Sequence, residues 1–284
     1  MDEADVLKST ESPSVCPSGC KPNSFLNSSP KSNLSQSMTM CPGLKDTTVK
    51  MEFAVEMNSA CCAGKVKTAL LGLDGVSSVD VDVAAQRLVV EGNIAAESVK
   101  NTIETKTGMS AVLLGHGINT QQSLGAGVAA LNIGSCGVQG LLRFVQTDTD
   151  SCLIEGTVDQ LPTAEPVFLT VHQTGDVTSG CDSCGTLFTS SSFQGILSQL
   201  HPQENQTADF RLVAQNVKLS EIIGHCVVVH QGDEKKIELN QSKRLACGIV
   251  ARASGLFENS KRFCACDGIT IWEQRHKDTD SRKL

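Results

Sequence analysis

The reactive side chains in this sequence are its thiols. Of 284 residues 13 are cysteine, and most fall in close pairs: Cys16 with Cys20, Cys61 with Cys62, Cys181 with Cys184, and Cys264 with Cys266. Thiolates are soft donors, and Cu(I) accepts two or three of them. A Cys-x-Cys can chelate such an ion and pass it on by stepwise ligand exchange, and the same thiols can form or attack a disulfide. Cys264 and Cys266 thus unite metal transfer and thiol exchange in one motif; ordinary tail thiols and a zinc half-site are the plainer readings. Cys61 and Cys62 sit where a strand is expected to give way to a helix, whose N-terminus favours thiolate. Cys16, Cys20 and Cys41 read as free tail thiols, and Cys136, Cys152 and Cys226 as small apolar groups within or beside strands.

Composition narrows the classes. Lys and Arg number 24 against 31 Asp and Glu, a net charge of −7 with no long basic stretch, which disfavours a nucleic-acid or anionic-membrane partner held by counterion release. No run of about 18 apolar residues is present, so no membrane-spanning helix is expected. An odd cysteine count in a long chain without an apolar leader predicts a reducing compartment rather than a secreted disulfide scaffold. At 284 residues the prior is about two domains.

The elements that must position the thiols follow from periodicity. Residues 1–48, rich in Ser, Pro, Asn and Lys, predict a disordered N-terminal extension. Between 49 and 116, Met51, Phe53 and Val55 alternate as a strand that delivers Cys61 and Cys62 to a turn, and Val66, Ala69 and Leu70 recur at helical spacing. Two further strands, a helix over 95–106 ended by Gly108, and a last strand from Ala111 complete a βαββαβ, ferredoxin-like order. Residues 116–123 read as a linker. Over 124–254, short apolar runs separated by Gly, Asp, Pro and Ser predict an all-β Greek-key barrel or sandwich. Residues 255–284 form a charged, cysteine-bearing tail.

The arrangement of a thiol-bearing ferredoxin-like domain, a barrel and a Cys-x-Cys tail resembles the family of copper chaperones for superoxide dismutase. The resemblance rests on Phe53-Ala54-Val55-Glu56-Met57, on Arg244-Leu245-Ala246-Cys247-Gly248-Ile249-Val250-Ala251-Arg252, and on Cys264-Ala265-Cys266-Asp267-Gly268-Ile269-Thr270-Ile271-Trp272-Glu273. It implies that Cys264 and Cys266 carry Cu(I) and help introduce a disulfide into the target. The first domain departs from the family's Met-x-Cys-x-x-Cys: Ser59 stands where the first ligand belongs and Cys62 matches the second. Either Cys61 swings into the vacated place, giving two-thiolate capture by Cys61 and Cys62 above a buried Met57, or the domain is kept for folding alone.

The barrel resembles the Cu,Zn superoxide dismutase type, and its ligands are tested by the same likeness. The family's His-Val-His is Thr170-Val171-His172 here, Leu187 stands at the bridging position, and Phe193 replaces a zinc histidine. His172 and His230 match copper ligands, weakly as a site, since two imidazoles cannot fix four-coordinate copper. Zinc is not expected, and Arg244 matches an anion-guiding arginine. Cys181 and Cys247 match the family's intrasubunit disulfide, with Cys184 beside them. His116, His225 and His276 are read as surface residues. The implied partners are Cu,Zn superoxide dismutase in a heterodimer, through residues around Val138, Ile222 and Gly248, and a transporter as copper source; a homodimer is the alternative assembly. The implied compartment is the cytosol, with the mitochondrial intermembrane space and the nucleus as alternatives. The other functions weighed are a dismutase-like enzyme, disfavoured by the missing ligands, and a homologue that binds the target without loading it.

Overall fold

The structure is a computed structural model that describes residues 47–118, 123–134 and 136–259. The expectations placed on Cys16, Cys20, Cys41, Cys264, Cys266 and His276 lie outside the described residues.

The first domain runs β1 (Val49–Val55), α1 (Ala60–Leu71), β2 (Val76–Asp82), β3 (Arg87–Gly92), α2 (Ala96–Thr107), β4 (Ala111–Gly117). Its antiparallel sheet has the order β2-β3-β1-β4. The alternating residues Met51, Phe53 and Val55 of β1 are fully buried against Val66 and Leu70 of α1 and Val99 and Ile103 of α2. Polar β2 takes an edge, where its exposed serines and aspartates meet water. Gly108 ends α2 in the left-handed region at φ 72°, its N–H bonded to the Glu104 carbonyl.

The second domain runs β5 (Ala126–Leu131), β6 (Gln139–Gln146), β7 (Ser151–Asp159), β8 (Val167–Val171), β9 (Ile196–Leu200), β10 (Ala208–Gln215), α3 (Leu219–Ile222), β11 (Cys226–Gln231), α4 (Glu234–Glu238), β12 (Lys243–Ile249) and β13 (Ala251–Ala253). A 3-10 turn, Gly180–Cys184, interrupts the long connection after β8. Two sheets, β10-β7-β6-β5-β13 and β12-β11-β8-β9, enclose one core that includes Leu142, Phe144, Ile154, Leu169, Val227 and Val229. Along β11 five consecutive residues are buried, Val227 and Val229 in this core and Cys226 and Val228 in a separate cluster on the other face.

Three expectations are corrected, and one strand was not expected. Residues 116 and 117 are strand and not linker: His116 pairs with Met51 in the β1–β4 ladder and is only 4% exposed. The run 246–251 is not one strand, because the chain crosses between sheets at Val250, leaving β12 beside β11 and β13 beside β5. β9, in a stretch with no clean alternation, arises because Val167 to Thr170 of β8 offer it a ladder. Cys61 and Cys62 are not in a turn but in the first turn of α1, where Ser59 is the N-cap.

Candidate thiol and imidazole sites

Ser59 explains the local geometry of the first thiols. Its backbone is extended at φ −159°, and its Oγ accepts from the Cys62 N–H at 3.3 Å, the bond that starts α1. The same hydroxyl donates to the Cys62 Sγ at 3.3 Å. That bond, a backbone N–H from Asn58 and nearby Lys65 hold the Cys62 thiol below its usual range. Cys61 is exposed while Cys62 packs on the core, and consecutive helix positions do not face each other. Met57, 1% exposed, lies in that core. The helix therefore presents one activated thiol, Cys62, with Ser59 occupying the place across from it.

The sequence did not flag Glu52, yet it is fully buried and organises the chain that leaves the barrel. Its carboxylate pairs with Arg87 and accepts the Phe257 N–H at 2.9 Å. Arg87 in turn donates to the Asn259 carbonyl at 2.8 Å. Gln86, next to Arg87, donates to the Met57 carbonyl at 3.3 Å and the Asn58 side chain at 3.4 Å. The segment 255–259 is thus fastened on the sheet one residue from the group that braces the Cys62 loop.

A second buried carboxylate, Glu155 of β7, links the domains. The N-cap of α2 is Ala95, which has no side-chain acceptor, and Glu155 supplies one to the Ala96 N–H at 3.1 Å. Arg211 donates to Glu155 at 2.6 Å, to the Asn93 side chain at 3.2 Å and to the Thr47 carbonyl at 2.9 Å. His116 lies 3.8 Å from Glu155 with neither ring nitrogen hydrogen-bonded, and burial pushes it down to about 4. His116 is therefore an interior residue, contrary to expectation, and His225 is half-buried, its Nδ1 2.9 Å from the His172 carbonyl and its ring edge-on to Phe188.

His172 and His230 do meet. Their Nε2 atoms are 2.8 Å apart, and the proton positions follow from their neighbours. His172 Nδ1, 2.9 Å from the Gly185 carbonyl, must carry a proton, so its Nε2 is an acceptor. His230 Nε2 is then the donor, and His230 Nδ1 accepts from Ser242 Oγ at 2.7 Å. Thr170, where the third ligand would stand, places its hydroxyl 3.1 Å from His172 Nε2 and 3.2 Å from the Val228 carbonyl. Burial drives His172 down to about 4 and His230 to about 3, so both are neutral at pH 7. The pair satisfies itself, and Phe193, packed with Phe188, fills the neighbouring space with apolar surface. Among the described residues no group of three or more His, Cys, Asp or Glu is placed to hold a metal ion.

Cys181 and Cys247 are disulfide-bonded, with Cα atoms 5.6 Å apart. Arg244 holds the same loop: its guanidinium donates to the carbonyls of Cys181 and Gly185, both at 2.6 Å, and to the Asn240 side chain at 2.7 Å. Those bonds commit the arginine matched to anion guidance to bracing the loop. Of the residues proposed for a dimer surface, Val138, Ile222 and Val250 are core, whereas Gly224 and Ile249 are exposed. Cys152 and Cys226 are buried thiols, as read from the strands, and Cys136 is partly exposed.

The comparisons with known proteins agree with this construction. Residues 52–108 match the heavy-metal-associated domain family, and residues 138–250 match the copper/zinc superoxide dismutase family. The chain is 39% identical over 252 residues to the mouse copper chaperone for superoxide dismutase, covering 81% of this chain and 90% of that protein. It is 38% identical over 255 residues to the human protein of the same name, covering 82% and 91%. The superoxide dismutase 1 copper chaperone of Saccharomyces cerevisiae is 26% identical over 242 residues, covering 80% and 94%.

Proposed function

The chain belongs to the family of copper chaperones for superoxide dismutase, and on that premise we propose that it carries Cu(I) as cargo to Cu,Zn superoxide dismutase and promotes the target's intrasubunit disulfide. Cys62, with Cys61 beside it, is the capture end, and Cys264 and Cys266 are the delivery end. The observation that carries this reading is the fastening of Asn259 to Arg87, next to the bracing of the Cys62 loop by Gln86. Cys264 follows Asn259 by five positions, at most about 18 Å of extended chain, which limits how far it can stand from that anchor. Copper then passes between thiolates one bond at a time and is never free.

The disulfide step is exchange. After copper has left, a two-electron oxidant converts the vacated Cys264 and Cys266 thiols to a disulfide; a target thiolate attacks one of its sulfurs, a second target thiol resolves the mixed disulfide, and Cys264 and Cys266 return to thiols. The barrel acts as a docking body, not a dismutase: its two remaining histidines are occupied with each other, and Gly224 and Ile249 stand exposed on the face proposed for the target. The matching division of labour is an extension at 1–48, a capture domain at 49–116, a docking barrel at 124–254 and a transfer tail at 255–284. The proposed compartment is the cytosol.

Activation of copper-free, disulfide-reduced dismutase by the Cu(I)-loaded chain tests the proposal. Activation is expected for the wild type and loss of it for the double variant Cys264→Ser/Cys266→Ser; equal activation by both overturns the assignment. Ser59 in a ligand's place favours the second reading, a target-binding homologue that does not load copper. Co-elution with dismutase without activation would establish that one instead.

A further inference from the structure

Four sulfurs meet in one apolar cluster of the barrel: Cys181, Cys184, Cys226 and Cys247, packed with Val228. Two are bonded, Cys181 to Cys247, and two are free, Cys184 and Cys226. Cys181 and Cys184 occupy positions i and i+3 of the 3-10 turn Gly180–Cys184, the spacing at which 3-10 side chains eclipse on one face. Cys226 lies two residues before Val228 on β11, and Val228 is the register partner of Cys247 on β12. Cys226 and Cys247 therefore share a sheet face as diagonal neighbours.

Backbone bonds lock the free pair together. The Thr174 N–H donates to the Cys184 carbonyl at 3.1 Å, and the Thr174 carbonyl accepts from the Cys226 N–H at 3.0 Å. Cys226 packs beside Cys184 in the cluster and its thiol donates to the Asp176 carbonyl at 3.9 Å; the neighbouring Cys226 thiol holds Cys184 below its usual range, and Arg244 pushes the same way against burial. The neighbouring Cys184 sulfur and burial push the Cys226 thiol up. The cluster thus contains a nucleophile, a proton donor and a disulfide. Cys184, Cys226 and Cys247 are fully buried and Cys181 is 7% exposed, so a thiol inside the cluster reaches the bond more readily than a dissolved one.

We propose that these four residues form an intramolecular thiol–disulfide exchange centre, in which a second disulfide site, Cys184–Cys226, alternates with Cys181–Cys247. The Cys184 thiolate attacks Cys181 Sγ, a Cys181–Cys184 bond forms, and Cys247 leaves as thiolate and takes the Cys226 proton. The Cys226 thiolate then attacks Cys184 Sγ, forming Cys184–Cys226 and expelling Cys181, which regains the proton Cys184 had lost. One disulfide and two thiols stand on each side, so no external oxidant or reductant is consumed. The first isomer staples the loop to β12 and the second staples it to β11. Nothing in this exchange depends on copper delivery.

The test uses the full wild-type chain, equilibrated in glutathione buffers of graded ratio without denaturant and then alkylated. Cleavage before Asp176, Asp182, Asp209 and Asp233 places the four sulfurs on four separate peptides. Mass spectrometry is expected to find both the Cys181–Cys247 and the Cys184–Cys226 pairs. Cys226→Ser should lose the second pair and retain Cys181–Cys184, while Cys184→Ser should hold Cys181–Cys247 alone. A wild type that yields only Cys181–Cys247 at every ratio overturns the proposal, as does a Cys184–Cys226 bond that forms only in urea.

Discussion

Lowering the pH from 7.5 to 5 should cost this protein several kcal/mol, and three buried histidines set the size. His116 and His172 are held down to about 4 and His230 to about 3, against 6.5 for a histidine in water, in each case first by burial. Because the folded values are depressed, the unfolded chain binds these protons first. Stability is complete above about pH 6.5 and falls as pH drops from there towards 4. At pH 5 each group contributes a loss of about 2 kcal/mol, and three give about 6, comparable with the net stability of a typical domain. Urea unfolding followed by far-ultraviolet circular dichroism at pH 7.5, 6.5, 5.5 and 5 measures the total. Acid also titrates carboxylates, so the diagnostic comparison is His116→Leu, which removes one imidazole whose ring nitrogens have no hydrogen-bond partner. Its stability at pH 7.5 should be close to that of the wild type, and its loss at pH 5 smaller by about 2 kcal/mol. Parallel pH curves for the two proteins would refute the buried, neutral state of His116.

Glu155→Ala should cost about 3–5 kcal/mol by leaving Arg211 buried without its partner and the N-terminus of α2 without its acceptor, read as a shift in urea midpoint. Cys247→Ser should cost about 4 kcal/mol from the 66-residue separation that its disulfide closes, measured against the oxidised wild type. Ser59→Ala should lose about 1 kcal/mol of capping and, with the hydroxyl's bond to the sulfur gone, slow alkylation of Cys62 at pH 7. Ser59→Cys should raise the Cu(I) affinity of the chain in a competition titration, because it restores a thiol one helical turn from Cys62; an unchanged affinity would remove Cys62 from the capture role.

Periodicity read the strands and helices of the first domain closely because its elements are short, amphipathic and local. Met51, Phe53 and Val55 could only be one face of a strand, and Gly108 ends a helix wherever a left-handed residue is needed. What escaped was whatever depends on a partner distant in sequence. Glu52 is one charge within an alternating strand, and nothing near it reveals that Phe257 and Arg87 will bury it. His116 looked like the first residue of a polar linker because the ladder that buries it belongs to β1. The break at Val250 is likewise tertiary: the run 246–251 is uniformly apolar, and only the sheet changes.

The histidines and cysteines of the barrel show why residue identity without geometry misleads in both directions. His172 and His230 match copper ligands by position, but Ser242 and the Gly185 carbonyl fix the tautomers so that each imidazole satisfies the other. A metal at that point would have to displace the hydrogen bond between the two Nε2 atoms and find further donors, and the Thr170 hydroxyl is shared between His172 Nε2 and the Val228 carbonyl. The cysteines run the opposite way. Cys184 and Cys226, 42 residues apart in sequence, have no shared motif, yet a 3-10 turn and a strand register bring them to one disulfide. Loss of ligands therefore left the imidazoles closed upon themselves, whereas the sulfurs of the same barrel retain both a nucleophile and a bond for it to attack. The chemistry proposed for this barrel is thiol chemistry, the same kind proposed for Cys264 and Cys266.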